Sequence, residues 1–453
     1  MKALWAAGVP RTPNARMMFN YITIGYTDNP NKPSETFFEG INKLPPAHKL
    51  FYSLRDHSLE TESYWDIDIR IKNKNITTGE AVEKFQTLLS ASVKRRLRSD
   101  VSIGASLSGG LDSTAIVSMV REHLSPNQSF DCYTAAFPGF EKDESERAVQ
   151  VAQKNNLTHH LIRPDAGQLA DDWQKMVQAQ EEPVGSASVF AQYKIYEAAA
   201  QQGTTVLLDG QGADEILGGY NKYYKWYWQE LFLKRKLLRS KEIPMARALG
   251  VQEPFGVRNV LAALFPELAS VLLERQYLLH ALSQEDLHPE FVKLQSRDAY
   301  YTAPEIRSLH DLLYFNTRVH GLEELLRYAD RNSMAHGREV RLPFLDHKLV
   351  EFIFSLPTSF KIQEGWTKWL LRKFLQPKLP DTIVWNKEKI GFEPPQRLWM
   401  QDARMQELLI EAKRVLAKEK ILKEKTIQNL EAGSAYEADS YNWRYLSAAH
   451  LYT

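Results

Sequence analysis

The sequence predicts an α/β fold in which a parallel sheet is wrapped by helices and followed by a large helical C-terminal part. The first observation is that strand-like apolar runs alternate with helical patterns through the middle of the chain. The strand-like runs cover residues 101–107, 130–137, 158–162 and 204–209, and the helical patterns cover residues 111–124, 143–155 and 188–202. The second observation is that the pattern becomes almost wholly helical beyond about residue 220.

The first 66 residues differ in composition, being rich in Pro, Asn and aromatic residues. Helix signals appear soon afterwards, since Thr78 can cap a helix whose apolar face carries Ala81 and Phe85. We therefore predict a domain boundary near residue 70. It divides the chain into residues 1–70 and residues 71–453.

Length and composition restrict the class of protein. A chain of 453 residues with 43% hydrophobic residues exceeds what one compact core usually serves. The 57 Lys and Arg residues nearly balance the 56 Asp and Glu residues, so the net charge of +1 favours neither nucleic acid nor membrane as a partner. A homodimer is compatible with these properties.

The single cysteine and the lack of long apolar runs indicate a cytoplasmic protein. Cys132 has no second cysteine to pair with, which excludes a disulfide framework and a cysteine metal site, and we expect it in the core. The sequence contains neither a signal-peptide pattern nor a run of about 18 apolar residues.

The most informative segment joins a strand to a helix through a glycine turn. Gly109 and Gly110 permit the tight turn, and the N–H groups at the start of the next helix attract an anion. Ser108 and Ser113 add hydroxyl donors at either edge of the turn. Asp112 would repel a bare phosphate, so its position predicts a divalent cation, Mg²⁺, between the carboxylate and the phosphate oxygens.

Other types of loop fit this sequence poorly. A Walker loop needs a Gly-Lys-Ser/Thr ending, which occurs nowhere in the chain. Ser106 lacks the glycine two residues later that a hydrolase nucleophile turn requires. A dinucleotide fingerprint at Gly210 and Gly212 fails because Glu215 replaces its third glycine. An ordinary glycine-rich turn is the remaining alternative.

The segment Ser108–Ser113 resembles the pyrophosphate loop of the ATP pyrophosphatases, and its surroundings resemble the asparagine synthetase family. Four further segments match this family in its order: Leu208–Tyr220, Asp330–Ala335, Glu339–Asp346 and Lys387–Phe392. The resemblance implies that residues 71–453 form an ATP-dependent synthetase domain. Its parallel sheet would be of the ATP-pyrophosphatase, or adenine nucleotide alpha hydrolase-like, type.

Residues 1–70 resemble the closing part of the glutaminase domain of that family, an antiparallel sandwich. The matching segments are Lys2–Gly8 and Thr36–His48, and the opening part of the domain does not occur in this sequence. The N-terminal cysteine that serves the family as nucleophile is also missing, because Lys2 follows Met1. The resemblance therefore implies a truncated remnant without glutaminase activity, with exposed strand edges and apolar surface.

The resemblance implies an ATP-dependent, amide-forming ligase that adenylates a carboxylate and releases pyrophosphate and AMP. Aspartate is the leading substrate, which would give asparagine, with nitrogen from ammonia or from a glutaminase domain absent from this chain. Amidation or cyclisation of a different carboxylate is one alternative. A relative that binds nucleotide or a partner without catalysis is the other.

The resemblance also assigns residues to ATP, to Mg²⁺ and to catalysis. The expected ATP-binding residues are Leu107, Ser108, Gly109, Gly110, Asp112, Ser113, Ala135 and Gly210. Asp112 and Glu215 are the expected Mg²⁺ ligands, although Glu215 could instead cap a helix. Lys389 is expected to stabilise charge in the transition state, and the catalytic set is completed by Asp112, Asp214 and Glu215.

The acceptor substrate is expected at Gln211, Asp214, Asp330 and Arg331, because a guanidinium suits bidentate capture of a carboxylate. Gln211 departs from the family, which usually has Glu in that motif. A neutral amide there loses charge assistance toward a substrate ammonium group. Ion pairing among Glu339, Arg341 and Asp346 is expected to be structural. Glu339, Arg341 and Asp346 follow Asp330 and Arg331 in the chain.

Overall fold

The computed structural model describes residues 1–125, 128–298, 306–387, 391–430 and 441–453. Its strands are β1 (His48–Tyr52), β2 (Leu59–Ser63), β3 (Ile103–Ser106), β4 (Asp131–Ala135), β5 (Thr158–Ile162), β6 (Val206–Leu208), β7 (Glu339–Arg341), β8 (Ile362–Gln363) and β9 (Trp366–Thr367). Four of them coincide with the strand-like runs in the sequence. The short edge strand β7 was not predicted.

Helices account for most of the remaining structure, as the pattern beyond residue 220 predicts. They are α1 (Lys2–Ala6), α2 (Ala15–Ile24), α3 (Thr78–Arg96), α4 (Leu111–His123), α5 (Ser145–Lys154), α6 (Ala166–Gln180), α7 (Ser188–Gln201), α8 (Ala213–Leu217), α9 (Tyr223–Leu233), α10 (Leu237–Ser240), α11 (Glu242–Ala248), α12 (Val257–Leu264), α13 (Pro266–Leu282), α14 (Pro289–Gln295), α15 (Leu309–Tyr314), α16 (Leu322–Ala335), α17 (His347–Ser355), α18 (Trp369–Leu375), α19 (Asp381–Val384), α20 (Gln396–Trp399), α21 (Ala403–Lys418) and α22 (Tyr441–Ala449). A π-helical turn, Phe315–Val319, follows α15.

The central sheet is parallel, with the strand order β5-β4-β3-β6-β7. Ala105 of β3 lies opposite Cys132 on one side and Leu208 on the other. The chain first builds outward from β3 through β4 and β5, and then returns to place β6 on the opposite side of β3. The order of strands therefore reverses between β3 and β6, which is where open α/β sheets form a ligand crevice.

Helices cover both faces of the sheet, because its strands are apolar on both sides. Cys132 and Leu208 belong to one buried cluster, and Tyr133 and Leu207 belong to another. This two-residue alternation is what a strand buried on both faces requires. The predicted fold class is confirmed, and Cys132 lies in the core as expected.

The N-terminal residues combine a buried helix with an exposed hairpin. Met17, Phe19 and Tyr21 of α2 are fully buried in the cluster that also contains Trp443 of α22. In contrast, β1 and β2 form an antiparallel hairpin on which Phe51 is 52% exposed. This hairpin is the antiparallel remnant that the sequence predicts. The boundary near residue 70 stays a prediction.

Among the residues that the structure describes, no helix is both long enough and apolar enough to cross a bilayer.

Candidate active site

A cavity of about 740 Å³ opens at the carboxyl ends of β3 and β6, where the strand order reverses. Two segments form one wall of it, residues 107–113 after β3 and residues 209–215 after β6. We call this part of the cavity, together with Lys368, the loop end. Its size suits a bound small molecule.

Hydrogen bonds hold the glycine turn of residues 108–113 in shape. The Ser108 N–H donates to Ser113 Oγ at 3.1 Å, and the two hydroxyl oxygens are 3.1 Å apart. The Gly110 N–H donates to Ser108 Oγ at 3.2 Å, just before α4 begins at Leu111. The turn therefore presents the first N–H groups of α4 toward the cavity, as an anion site requires.

Two glycines allow the backbone to pass where a side chain would not fit. Gly109 has a φ of +81°, and a Cβ atom there would lie 2.8 Å from the Ala148 backbone nitrogen. A Cβ atom on Gly210 would lie 2.9 Å from the backbone nitrogen of Ser113. The second contact brings the loop after β6 directly against the start of α4.

A buried lysine joins the two segments of the loop end. The Lys368 ammonium lies 2.6 Å from Asp112 Oδ2 and 2.7 Å from Asp214 Oδ1. Its side chain is 7% exposed. Burial alone would lower the pKa of Lys368, but the Asp112 and Asp214 carboxylates hold that pKa above its usual value. Lys368 is therefore a fixed positive charge at the mouth of the phosphate turn.

Lys368 was missed by reasoning from the sequence, although a signal was present. It follows the short hairpin of β8 and β9 and directly precedes α18, with a φ of +50°. It is also the only charge in the otherwise largely apolar run from Trp366 to Leu371. A lysine in such a run is predicted to be buried, and a buried lysine needs an anionic partner.

Two further carboxylates at the loop end are protonated more easily than usual. Burial raises the pKa of Asp209 to about 6, although the N–H groups of Gln211 and Gly210 and the Ser106 side chain favour its ionised form. Burial, assisted by the Asp214 charge, also raises the pKa of Glu215, and Tyr220 donates to Glu215 Oε1 at 2.6 Å. Carboxylates are thus concentrated here beyond what Lys368 alone neutralises.

The structure brings most of the predicted site residues to the wall of this one cavity. They are Leu107, Ser108, Gly109, Gly110, Asp112, Ser113, Ala135, Gly210, Gln211, Asp214 and Glu215. Gln211 contributes a buried Oε1 atom without a hydrogen-bond partner. Segments far apart in sequence, which the motifs single out separately, therefore meet at one place.

Two predicted residues are not brought to it. Asp330 is exposed on α16, and Arg331 forms an ion pair with Glu181. Neither belongs to the wall of the cavity, so their predicted contact with the acceptor has no support in this arrangement. Lys389 lies outside the described residues. Its neighbours Gly391 and Phe392 do line the cavity.

The predicted structural ion pairs lie outside the cavity. Arg341 pairs with Glu339 at 2.7 Å, and Asp346 pairs with Arg95 and Arg96. These residues tie β7 and the start of α17 to the end of α3.

The cavity also extends away from the phosphate turn to a second part, which we call the distal end. It is lined by Lys222, Asn316, Gly321, Glu324, Leu325 and Tyr328. Contacts lead from one end to the other: Tyr220 bonds to Glu215, and the Lys222 ammonium lies 5.3 Å from the centre of the Tyr220 ring. Both ends belong to the same cavity.

The carboxylates at the loop end suit Mg²⁺. Mg²⁺ is usually held by one or two carboxylates, with substrate phosphates and water supplying the other oxygens. Asp112, Asp214 and Glu215 offer such oxygens beside a phosphate turn. Among the described residues, no group of three or more His, Cys, Asp or Glu side chains is arranged to hold a metal ion by itself.

A family model described as asparagine synthase matches residues 84–452. A protein of Penicillium rubens named Amidase chyE is 26% identical over 407 residues, covering 81% of this chain and 60% of that protein. Asparagine synthetase 1 of Bacillus subtilis, named as glutamine-hydrolysing, is 28% identical over 345 residues, covering 71% of this chain and 51% of the relative.

A third relative has the same coverage pattern. A putative asparagine synthetase of Mycobacterium tuberculosis is 29% identical over 406 residues, covering 85% of this chain and 59% of the relative. The chain thus spans only about half to three fifths of the length of these relatives.

Proposed function

Because the chain belongs to the asparagine synthase family, we propose that it activates a carboxylate with ATP and converts the product to an amide. The observation that carries this proposal is the position of Lys368. It is a buried cation held between Asp112 and Asp214 at the mouth of a phosphate turn.

In the first step, a carboxylate oxygen of the substrate attacks the α-phosphorus of ATP. The bond between the α-phosphorus and the oxygen bridging to the β-phosphorus breaks, and pyrophosphate leaves with the electron pair. The turn formed by Ser108, Gly109, Gly110 and Ser113 holds the β- and γ-phosphates through N–H and hydroxyl donors. The leaving group is thus held in place while its charge increases.

Lys368 stabilises the charge that develops on the phosphoryl oxygens during this step. Because Asp112 and Asp214 fix its ammonium before the substrate binds, little reorganisation is needed. Asp112 and Glu215 would hold Mg²⁺. When bound, the metal neutralises charge on the departing pyrophosphate. Lys389 stays a predicted second source of positive charge.

In the second step, ammonia attacks the carbonyl carbon of the acyl-adenylate. AMP leaves with the electron pair of the bond between carbon and oxygen, and the nitrogen loses one proton to water. The nitrogen enters as ammonia, or from a glutaminase that these residues do not contain. Leu107, Ala135 and Gly210 line the cavity wall that we assign to the nucleotide.

Aspartate is the substrate that we propose first, with asparagine as the product. Gln211 supports a second candidate, a different carboxylate, because it offers a neutral amide where the family usually has a charged glutamate. A relative of this chain is also named as an amidase. The two candidates share the same adenylation step and differ only in the acid.

Pyrophosphate release tests the proposal. The chain is incubated with ATP, Mg²⁺ and ammonium, and with aspartate or a panel of other carboxylates, while pyrophosphate and AMP are measured. We expect equal amounts of both products, dependent on the carboxylate. Asp112→Asn should reduce the rate by at least about 100-fold, since the loop end loses a carboxylate charge that would hold the metal.

Asp100→Asn is the matched control, because Asp100 is an exposed carboxylate just before β3. It should leave the rate unchanged. Absence of carboxylate-dependent release across the panel would contradict the proposed reaction. ADP and phosphate as products would do so as well, because they require cleavage at a different phosphorus.

A further inference from the structure

The distal end of the cavity contains a carboxylate, Glu324, that the chemistry on ATP does not use. Glu324 lies in the first turn of α16, three residues after Gly321. It faces the cavity together with Leu325 and Tyr328. This end lies beyond the residues that we assign to phosphate, so it is where the remainder of the acceptor substrate would lie.

Tyr328 fixes the orientation of this carboxylate. Its hydroxyl donates to Glu324 Oε1 at 2.5 Å, one helical turn along α16. The same hydroxyl oxygen accepts a hydrogen bond from the Gly185 N–H at 2.8 Å. A tyrosine hydroxyl has a single proton, so the bond from Gly185 leaves that proton directed at Glu324. The carboxylate is therefore held in place without a ligand.

Two of the three cations near Glu324 are paired with other acids. The Arg327 guanidinium donates to Glu182 at 2.5 Å, and the Lys43 ammonium pairs with both Asp28 and Glu323 at 2.6 Å. Lys222, also at the distal end, lies 3.4 Å from Asn316 Oδ1. Among the described residues, none of these three cations forms an ion pair with Glu324.

A half-buried carboxylate that lines the cavity without an ion-pairing cation favours a cationic ligand. Burial, with the neighbouring Asp28 charge, raises the pKa of Glu324, although Tyr328 and Arg327 favour its ionised form. A carboxylate in such surroundings gains more from an added cation than an exposed one does, because the interaction takes place in a less polar medium. A bound ammonium group would also supply hydrogen-bond donors to the carboxylate oxygens.

We propose that Glu324 binds an ammonium group of the acceptor substrate, so that the chain selects carboxylates that also carry an amine. Tyr328 is the positioning residue for this contact. The inference rests on the proposed function, since it assigns the second end of the same substrate. It assigns Glu324 to the substrate ammonium group, which the neutral Gln211 cannot recognise by charge.

Matched pairs of acids with and without an amine test this assignment. The pairs are L-aspartate with succinate, L-glutamate with glutarate, and L-alanine with propionate. Binding of each acid is measured by calorimetry, and carboxylate-dependent pyrophosphate release is measured beside it. We expect the wild type to prefer one amine-bearing member over its partner by at least about tenfold.

Glu324→Gln should remove most of this preference. It should weaken binding of the amine-bearing acid and change binding of the acid without an amine little. Tyr328→Phe should reduce the preference less, because the Glu324 carboxylate remains but is no longer oriented. Glu290→Gln removes an exposed carboxylate of α14 that does not line the cavity, and it should keep the preference. Circular dichroism of each variant establishes that it is folded.

The outcomes separate this inference from the proposed reaction. Release of pyrophosphate with succinate as readily as with aspartate would leave the reaction standing and overturn the role of Glu324. Binding of an amine-bearing acid that depends on Glu324, without any pyrophosphate release, would do the reverse. Binding of none of the acids, or an unchanged preference in Glu324→Gln, also overturns the assignment.

Discussion

The two ends of the cavity are built in different ways. The loop end is formed largely by two short segments, residues 107–113 and 209–215, that follow neighbouring strands of one sheet. The distal end depends on side chains whose partners are far apart in sequence, such as Glu324, Tyr328 and Gly185. In the proposed reaction, backbone groups of the glycine turn would bind phosphate at the loop end together with Lys368, and side chains would bind the acid at the distal end.

This difference corresponds to two tasks in the proposed reaction. Every carboxylate that the enzyme adenylates would meet the same triphosphate, so a backbone turn that holds phosphate need not change with the substrate. The acid itself would be distinguished by the side chains at the distal end. Changes at the loop end should therefore act on the reaction with any acid, whereas changes at the distal end should act on the choice of acid.

Replacement of Lys368 should have the largest effect. We expect Lys368→Met to lower pyrophosphate release by about 10²- to 10⁴-fold with every active carboxylate, because a preorganised charge beside the phosphates is lost. The binding preference between aspartate and succinate should not change. Steady-state release assays and calorimetry on the same preparation measure the two effects.

Lys348→Met is the control for this variant, since Lys348 is exposed on α17. It should retain the full rate. A Lys368→Met enzyme whose rate falls for one acid and not for another would contradict the division of tasks between the two ends.

Lys368 also shows which part of the site could not be predicted from the sequence. The turn at Ser108 could be recognised because its glycines, hydroxyls and acid are contiguous, and the strands around it are continuous apolar runs. Lys368 lies 256 residues from Asp112, and nothing local to it indicates a phosphate. Only the folded sheet brings α18 against the start of α4.

The distal end was harder still to predict, because its contacts also form only when distant segments of the chain fold together. Gly185, Glu324 and Tyr328 belong to no motif that binds a known group, and their contact arises where α16 packs near the segment after α6. Asp330 and Arg331, which do belong to a motif, lie outside the cavity wall. The motif lies on α16, the helix that reaches the cavity. The residues of α16 that face the cavity, among them Glu324 and Tyr328, come before the motif in the chain.

The ionisation of Asp209 should make stability depend on pH at the loop end. The pKa of Asp209 is about 6 in the folded chain and about 4 in an unfolded one, so the folded state binds more protons between these values. The stability that a protonated Asp209 contributes should therefore be lost as pH rises from about 4 to about 6. Because Asp209 is only half-buried, we expect a change of about 1–2 kcal/mol.

Asp209→Asn isolates this contribution. The variant should match the wild type near pH 4 and exceed it in unfolding free energy above pH 6, as measured by denaturant titration without ligands. Ser106→Ala should steepen the dependence, because Ser106 donates a hydrogen bond that favours the ionised form. A difference between wild type and Asp209→Asn that does not vary with pH would exclude this carboxylate as the cause.

The smallest effect is expected from Lys43, which supports the distal end from the N-terminal part of the chain. Its ammonium pairs with Asp28 and with Glu323 of α16, both at 2.6 Å, next to the turn that carries Glu324. Lys43→Met should leave those two acids unneutralised and loosen the start of α16, raising KM for the acceptor acid by about two- to fivefold. KM for ATP should not change, because neither of these two ion pairs includes a residue of the loop end. Lys49→Met, which breaks the exposed Lys49–Glu62 pair of the hairpin, is the matched control and should alter neither value. An equal rise in both KM values would mean that the two ends respond together and are not separate binding regions.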